Sequence, residues 1–397
     1  MKIIKLPFNV KKPILACGAD LKGAFALAKG RETCLFDGFG DLSDPGNLER
    51  YEKAVTREVK KTGIKPAVVA CDLHPDYFST KFAGKIGTDT YFSTAHTIEK
   101  WVSVPFLSLC RVQHHEAHVA AAIVDNAIEE PVIGVAFDGT GYGSDGNIWG
   151  GEFFIARATI HDSRSTIHGF ERVAHLAYVA MPGGEAAIRE PWRMAASYLY
   201  SAFGKRGLFR RSSFVVRRSC NKEIKILLKM IDKKINSPLT SSAGRLFDAV
   251  GCIVLGKKTV DKEAELPIEL EKMAIELCRD TYDFDIRKAG GVLEIDCRKI
   301  IKGVVKDLSK CTDRATVSSK FHNTVAEIIL EVSVILRKKF RINKVALSGG
   351  VFQNAYLKTR AMELLTREGF RVFTQSNAST NDSGIPLGQI TIVNSRF

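Results

Sequence analysis

Two histidines spaced four residues apart are the strongest candidates for metal ligands in the sequence. His114 and His118 belong to the segment QHHEAH (113–118), and side chains at this spacing project from the same face of a helix. Two imidazoles on one face can hold a divalent cation. The zinc-protease pattern HExxH does not fit, because Val119 stands where its second histidine would be. Histidines that simply pack, or cap a helix, would show the same spacing.

A metal held by two histidines needs a carboxylate from elsewhere in the chain, and Asp382 is the candidate. It lies in the polar, turn-rich stretch SNASTNDSGIPLGQ (376–389), which leads into an apolar segment. Such a sequence suits a loop before a helix, where backbone amides hold a carboxylate. The alternative is that Asp382 is an ordinary helix N-cap.

A glycine-rich segment after an apolar run is a candidate anion-binding turn. Asp138 ends the predicted strand PVIGVAF (131–137) and opens DGTGYGSDG (138–146). Glycines let the backbone approach an anion closely, and a threonine hydroxyl can donate to it. A hairpin turn is the alternative, although four glycines exceed what a two-residue hairpin needs. The candidate ligand-binding residues of this segment are Gly139, Thr140 and Gly141.

The segment LSGGVFQN (347–354) has the order strand, glycine turn and helix start. Unpaired N–H groups and a partial positive charge at a helix N-terminus favour a phosphate or the edge of a nucleotide. The lysine of a GxxxxGK[ST] phosphate loop is absent from this segment. Gly349 and Gly350 are therefore candidates for nucleotide binding, and a second such turn in the chain strengthens the interpretation.

The elements that must position these residues follow one pattern twice. The first third predicts a strand meander (13–18, 23–29 and 32–36), a helix (48–61), two strands (66–73 and 104–112) and a helix (115–127). The remaining two thirds of the chain predict a strand (131–137) with a hairpin partner (147–156), then a mainly helical stretch (184–290) and a long helix (319–340). Strands at 344–347 and 371–374 would flank a helix that ends near 368, and a last helix would follow Asp382.

This repetition predicts a duplicated α/β fold with a cleft between its halves, where ligands usually bind. We expect an N-terminal lobe over residues 1–128, which carries the histidines. A C-terminal lobe over residues 129–397 would carry the nucleotide loops and the helical insertion at about 184–290.

Composition limits the class of protein. The chain has 397 residues, 45% of them apolar and 26% charged, which suits a folded protein. No apolar run approaches the roughly 20 residues of a membrane span, and the lysine-interrupted start (1–18) does not fit a signal peptide. Nine scattered cysteines without a CxxC pair favour reduced thiols. We therefore expect a cytoplasmic protein with no membrane partner.

Positive charge is concentrated in one stretch. The net charge is +14, and much of the excess lies between Lys205 and Lys234. Few aromatic residues interleave with these cations to stack on bases, so a solvated helical face explains them. A docking face for an acidic partner or for RNA is the alternative.

Taken together, the motifs resemble the carbamoyltransferase domain of the HypF hydrogenase maturation factors. The stretches that match span nearly the whole chain in the family's order: ILACGADLKGAF (14–25), CDLHPDYFSTKFA (71–83), VQHHEAH (112–118), FDGTGYGSDGNIWGGE (137–152), MPGGEAAIREPWRMA (181–195), SSAGRLFDAVG (241–251), LSGGVFQN (347–354) and NDSGIPLGQ (381–389). Glu185 departs from the family's usual Asp, and LFDGFGDL (35–42) matches only in part.

The resemblance implies an actin- and sugar-kinase-like (ribonuclease H-like) fold. It also implies that His114, His118 and Asp382 bind iron or zinc, with Asp138 at the same cation, and that the two glycine segments hold carbamoyl-adenylate. SSAGRLFDAV is similar to AGEAFDKV of the tRNA threonylcarbamoyltransferase, which suggests Gly244 near the nucleotide and Asp248 on a ribose hydroxyl, with Asn354 facing the nucleoside. Candidates for binding phosphate or a partner's carboxylate are Arg189, Arg193 and, more weakly, Lys22.

The implied reaction is transfer of a carbamoyl group to the C-terminal cysteine thiol of a HypE-like partner. The family's acylphosphatase, zinc-finger and adenylate-forming modules do not match this sequence, so a separate protein would supply carbamoyl-adenylate unless the chain is a fragment. Two alternatives stay open. One is a threonylcarbamoyl or related transferase acting on tRNA, which the basic stretch favours and CDLHPDY and REPWRMA disfavour. The other is a non-catalytic nucleotide-binding scaffold.

Overall fold

The structure, a computed structural model, describes residues 1–86, 108–161, 164–211 and 221–397. The strands are β1 Lys2–Ala16, β2 Phe25–Phe36, β3 Val68–Asp72, β4 Ser108–Val112, β5 Val132–Tyr142, β6 Ile148–His161, β7 Arg164–Leu176, β8 Val179–Ala180, β9 Leu239–Thr240, β10 Asp285–Ala289, β11 Val292–Asp296, β12 Lys344–Ser348 and β13 Arg371–Thr374. The helices are α1 Pro45–Thr62, α2 Phe78–Ile86, α3 His114–Asp125, α4 Ala186–Arg189, α5 Trp192–Arg210, α6 Asn221–Asp232, α7 Ala243–Leu255, α8 Glu265–Met273, α9 Arg298–Ser309, α10 Arg314–Phe340, α11 Ala355–Arg367 and α12 Ile385–Ser395.

The first sheet has the strand order β2-β1-β3-β4. β1 and β2 form an antiparallel hairpin, while β3 and β4 add as parallel strands. The predicted three-strand meander is wrong, because the two long strands of this hairpin cover all three runs. The break that looked like a turn lies opposite Val10, where Gly30 adopts a positive φ of 63° and the register shifts. A glycine here produces an irregularity within a strand instead of ending it.

The second sheet repeats this arrangement and extends it. Its order is β10-β11-β7-β6-β5-β12-β13, with β8 and β9 paired beside β6. β5, β6 and β7 form an antiparallel meander, and β12 and β13 then add in parallel. In both sheets an antiparallel hairpin is therefore followed by two parallel strands, as expected for a duplicated α/β fold. The predicted actin-like fold class is confirmed. The lobe boundary near residue 128 stays a proposal.

The last helix ties the two sheets together. α12 packs against α3 and β1, and its apolar side chains share one core with residues of both sheets. The approach to α3 is very close, since a Cβ on Gly388 would lie 1.9 Å from the carbonyl oxygen of Ala117. α12 and α3 are therefore fixed relative to each other by backbone contact, which matters because Asp382 precedes α12 and the histidines begin α3.

Several other predictions can be compared with the structure. The stretch 184–290 contains α4 to α8, with the short strand β9 inside it and β10 at its end. β7 was not predicted, and residues 104–107 of the predicted strand 104–112 lie outside the described residues. The described residues contain no helix that is long and apolar enough to cross a membrane.

Candidate metal centre and nucleotide loops

Four buried side chains from three segments of the chain (α3, β5 and the turn before α12) meet in one cluster. They are His114, His118, Asp138 and Asp382, and one ligand atom from each lies within 4.8 Å of all the others. The two histidine rings are fully enclosed, and the two carboxylates are 6% exposed. The structure thus brings together the two imidazoles and the distant carboxylates that the sequence analysis had grouped as one set of metal ligands.

Helix α3 presents the two imidazoles. Gln113 caps the helix, because its side-chain oxygen accepts from the Glu116 N–H at 2.9 Å. The four-residue spacing then puts His114 and His118 on one face, with ring centroids 4.9 Å apart. β5 passes close to the rings of His114 and His115, since a Cβ on Gly141 would lie 2.8 Å from Cδ2 of His114 and 2.5 Å from Cε1 of His115. Gly141 is therefore required by the histidine rings, whatever else it contacts.

Asp72 orients the first histidine, and the sequence analysis missed it. Its Oδ2 lies 2.8 Å from Nδ1 of His114, and its Oδ1 accepts from the His74 N–H at 2.9 Å. The carboxylate is completely buried. A carboxylate on Nδ1 leaves Nε2 to face a cation, as is usual behind metal-bound histidines. The available signal was an acidic residue that ends the buried strand β3, in the stretch CDLHPDY.

The second glycine turn positions Asp138. Its Oδ1 accepts from the Gly350 N–H at 2.7 Å, and its Oδ2 lies 3.3 Å from Nε2 of His114. Gly349 has a φ of 104°, and a Cβ there would lie 2.1 Å from the Phe137 carbonyl oxygen. Only glycine fits this contact. The turn after β12 therefore holds a carboxylate of the cluster in place, and a short 3-10 helix (Gly350–Gln353) separates it from α11.

Asp382 reaches the cluster from a 3-10 turn (Asp382–Gly384) just before α12. Its Oδ1 lies 3.6 Å from Nε2 of His114 and 3.5 Å from Nε2 of His118. The expectation that backbone amides hold this carboxylate is wrong. The capping residue is Asn381, whose side chain accepts from the Ser383 N–H at 3.0 Å, so the carboxylate of Asp382 is directed at the imidazoles.

The charges in the cluster depend on one another. Burial lowers the pKa of His114, but the charges of Asp72 and Asp382 outweigh it and hold this pKa well above its usual range. Burial raises the pKa of Asp138, but the two imidazoles outweigh it and hold it well below the usual range. His115 lies outside the cluster, and its pKa is lowered where that of His114 is raised. Burial and the charge of His114 both lower the pKa of His115.

The donor set fits a transition-metal dication. Neither ring nitrogen of His118 has a hydrogen-bond partner among the described residues, although buried imidazole nitrogens are normally paired. Its Nε2 lies 3.6 Å from Asp138 Oδ2, which is too far for a hydrogen bond. Two imidazole nitrogens and two carboxylate oxygens suit zinc or iron. The residues present therefore fit the predicted cation.

The segment 138–146 is a strand and hairpin, not a separate anion loop. β5 continues through Tyr142, with a register shift between Phe137 and Gly141, and the chain turns at 143–147. The predicted end of the strand at Phe137 is wrong. Gly244 of α7 is required here, because a Cβ on it would lie 2.8 Å from the Cα of Gly139, whereas a Cβ on Gly139 would make an ordinary 3.7 Å contact with Nη2 of Arg245. The glycines allow close backbone packing around Asp138, and their binding to phosphate stays a proposal.

The residues predicted to bind the nucleoside lie on α7 and before α11. Asp248 is buried and pairs with Arg245 at 3.0 Å, and burial raises its pKa to about 6. Asn354 caps α11 through the Leu357 N–H at 2.8 Å, and its Nδ2 lies 2.9 Å from Nε2 of His322. The Asn354 side chain thus has protein partners at both ends, and its contact with a nucleoside stays a proposal.

A hydrogen bond from Asn354 to His322 holds the Asn354 side chain in place. Its Nδ1 lies 2.8 Å from the Ser318 carbonyl oxygen, so the neutral ring donates there and accepts from Asn354 at Nε2. The ring also packs edge-on against Phe247 and Tyr356, at centroid distances of 5.3 Å. Burial lowers its pKa to about 4. A neutral buried histidine therefore links α7, α10 and α11.

The predicted cationic candidates are not members of the cluster. Arg189 is exposed, and Arg193 pairs with Glu190 at 2.6 Å. Lys22 pairs with Glu263 at 2.8 Å, and both side chains are 40% exposed. Burial lowers the pKa of Lys22, but Glu263 and the more distant charge of Asp382 outweigh it and raise this pKa. The charge of Asp382 in the cluster thus acts on Lys22.

Two family descriptions match the chain. Residues 9–125 match the HypF Kae1-like domain, and residues 134–389 match the carboxyl-terminal "Carbamoyltransferase, Kae1-like Domain, second subdomain". The chain belongs to the HypF carbamoyltransferase family. Carbamoyltransferase HypF of Synechocystis is 30% identical over 98% of this chain and 48% of its own length. A HypF homolog of Cupriavidus necator is 32% identical over 95% of this chain and 90% of its own length.

Solved HypF structures share the fold. Full-length HypF in a phosphate- and nucleotide-bound form superimposes with a TM-score of 0.86 at 36% identity, over 99% of this chain and 56% of that one. HypF of T. kodakarensis gives a TM-score of 0.83 at 25% identity, over 99% and 49%. The chain thus spans about half the length of most HypF relatives that it matches. The chain is classed with the HypF transferases. The nucleotide-bound HypF structure shows that a relative with the same fold binds a nucleotide.

We predict that cation binding depends on His118 and not on its neighbour His115. His118→Asn removes a nitrogen ligand, and loss of a ligand lowers metal affinity by about 100-fold or more. His115→Asn changes an equally buried ring on the same helix that lies outside the cluster. Elemental analysis after dialysis against zinc or iron should find about one cation in wild type and in His115→Asn, and none in His118→Asn. Equal content in the two variants would contradict the assignment.

We also predict that His322 makes the HypF-like fold sensitive to mild acid. The folded-state pKa of about 4 lies below the ordinary value of 6.5. The unfolded chain therefore binds more protons between these values, and stability falls as pH drops through this window. The loss reaches about 3 kcal/mol at pH 4, from about 1.4 kcal/mol for each pKa unit. Urea unfolding should show a smaller pH slope for His322→Gln, which keeps an acceptor for Asn354. An unchanged slope would exclude this role.

Proposed function

We propose that the chain transfers a carbamoyl group from carbamoyl-adenylate to the C-terminal cysteine thiol of a HypE-like partner in the maturation of nickel-iron hydrogenase. The observation that carries this proposal is the buried cluster of His114, His118, Asp138 and Asp382 beside two glycine-rich turns. The proposed donor is carbamoyl-adenylate, supplied by an adenylate-forming protein. Action in the cytoplasm is part of the same proposal.

The cluster would hold iron or zinc through Nε2 of both histidines and one oxygen of each aspartate. When bound, such a cation supplies positive charge that stabilises the phosphate and carbamoyl oxygens as charge develops. The chain's own residues fix this arrangement. Asp72 keeps the His114 ring oriented, and the Gly350 N–H keeps Asp138 oriented.

The nucleotide would lie along the glycine-rich end of β5 and the turn after β12, on either side of Asp138. Its phosphate would approach the backbone of Gly139, Thr140 and Gly141 on one side and of Gly349 and Gly350 on the other. The nucleoside would extend past Gly244 toward Asp248 and Asn354. Support comes from the contact between α7 and β5 at Gly244 and Gly139, which joins the two groups of predicted residues into one surface.

The acceptor thiol would come from the partner. Burial raises the pKa of the Cys71 thiol to about 11 and those of Cys252 and Cys297 to about 12, and buried thiols of this kind are poor nucleophiles. In the proposed step the partner's sulfur forms a bond to the carbamoyl carbon, and the bond from that carbon to the phosphate oxygen breaks. AMP leaves with the electron pair, and the thiol proton passes to solvent. Arg189, exposed at the end of α4, and Arg193 would bind phosphate or the partner's C-terminal carboxylate.

A second candidate is transfer of a threonylcarbamoyl group to tRNA. A tRNA N6-adenosine threonylcarbamoyltransferase of Thermosipho melanesiensis is 27% identical over 38% of this chain. The basic stretch that begins at Lys205 also suits RNA, although Arg217 and Arg218 lie outside the described residues. Binding of tRNA that weakens steeply with added salt would favour this candidate.

We predict that Asp382→Asn abolishes transfer to a HypE-like protein. The carboxamide cannot supply the anionic oxygen that faces both imidazoles, so the rate should fall by about 100-fold or more. The assay mixes carbamoyl-adenylate, the chain and the partner, and mass spectrometry then measures carbamoylation of the partner's C-terminal cysteine.

Asp285→Asn is the control, because this aspartate forms an exposed pair with Lys299. It should keep the wild-type rate. Transfer by Asp382→Asn within a few fold of wild type would exclude the proposed role of the cluster. Modification of tRNA, and not of the partner, would support the second candidate.

A further inference from the structure

The first turn of α7 is fastened to the strand that carries the metal ligand. Ser242 caps α7 by accepting from the Arg245 N–H at 3.0 Å, and its hydroxyl also contacts the carbonyl oxygens of Asp138 and Gly139. A Cβ on Gly244 would lie 3.1 Å from the Asp138 carbonyl oxygen. The helix therefore starts in direct backbone contact with the residue that the proposed function places at the cation.

Arg245 lies in this first turn, and two N–H donor groups of its guanidinium have no hydrogen-bond partner among the described residues. Its side chain is 5% exposed, and the only carboxylate that it contacts in the described part of the chain is Asp248, at 3.0 Å from Nη2. The Nε and Nη1 groups have no hydrogen-bond partner among the described residues. A guanidinium stays charged when buried, and unpaired donors on a buried charge are costly. The arrangement calls for a further anion.

Asp248 lies 3.0 Å from Nη2 of Arg245 and leaves Nε and Nη1 without a partner among the described residues. Burial raises the pKa of its carboxyl to about 6, against the opposing charge of Arg245. The Arg245 fork also faces β5, because Nη2 lies 3.7 Å from the position of a Cβ on Gly139. Gly139 is the residue next to Asp138, so the guanidinium and the cluster flank one short piece of backbone.

We propose that Arg245 binds the phosphate of the adenylate, across Gly139 from the cluster. This inference rests on the proposed function and adds to it the group that faces the leaving phosphate. The planar fork of arginine matches two phosphate oxygens, and the N-terminus of a 13-residue helix favours the same charge. As the bond to the carbamoyl carbon breaks, negative charge grows on the phosphate, and Arg245 stabilises AMP as it leaves.

The experiment measures binding of AMP and of adenosine by isothermal titration to the zinc-loaded full chain. Arg245→Met should weaken AMP by about 10- to 100-fold, the usual range for a hydrogen bond to a charged group. Adenosine, which has no phosphate, should bind as it does to wild type. Arg245→Lys keeps the charge without the fork and should restore part of the loss. In the transfer assay, Arg245→Met should lower kcat as well as raise KM.

Arg360→Met is the matched control, because Arg360 is 11% exposed and pairs with Glu363 three residues later on α11. It should bind AMP like wild type, and zinc content should be unchanged in every variant. Equal loss of AMP and adenosine in Arg245→Met would show a merely structural role and overturn the inference. Wild-type AMP affinity in Arg245→Met would overturn it too, while the proposed function would survive. Absence of AMP binding by wild type would overturn both.

Discussion

Two carboxylates and two imidazoles are buried against one another, and this cluster constrains the rest of the structure. Burying Asp138 and Asp382 close together is unfavourable unless positive charge lies between them. Without a cation, protons on His114 and His118 provide it, which is why the pKa values of both histidines are raised. A dication can replace those protons without moving the side chains far. The same geometry therefore serves both charge balance and metal binding.

The fold supplies this geometry through backbone contacts that only small residues permit. Gly141 lets β5 pass over the histidine rings, Gly349 lets the turn after β12 lie against β5, and Gly388 brings α12 onto α3. The contacts at Gly141 and Gly388 join segments that carry or adjoin ligands, and the contact at Gly349 places the Gly350 N–H against Asp138. A duplicated fold suits this purpose, because one ligand set is drawn from α3, which follows the first sheet in the chain, and from β5 of the second sheet.

The sequence predicted the four metal ligands better than the residues that hold those ligands in position. The spacing of His114 and His118 carries its own geometric meaning on a helix, and the polar stretch before α12 drew attention to Asp382. Asp72 was missed because its role depends on β3 lying beside α3, which is a tertiary contact that no local pattern encodes. No local pattern shows that Gly349 lies against the Phe137 carbonyl group either, because a glycine that admits a neighbouring backbone looks the same in sequence as one that admits a phosphate. The long β1–β2 hairpin was read as three strands because Gly30 resembles a turn signal although it lies within a strand.

The most direct test is anomalous X-ray diffraction at the zinc or iron edge from crystals of the full chain grown with that metal. We predict one strong anomalous peak, bonded to Nε2 of His114 and His118 and to oxygens of Asp138 and Asp382. A cation bound elsewhere, with these four side chains still paired only to one another, would contradict this prediction.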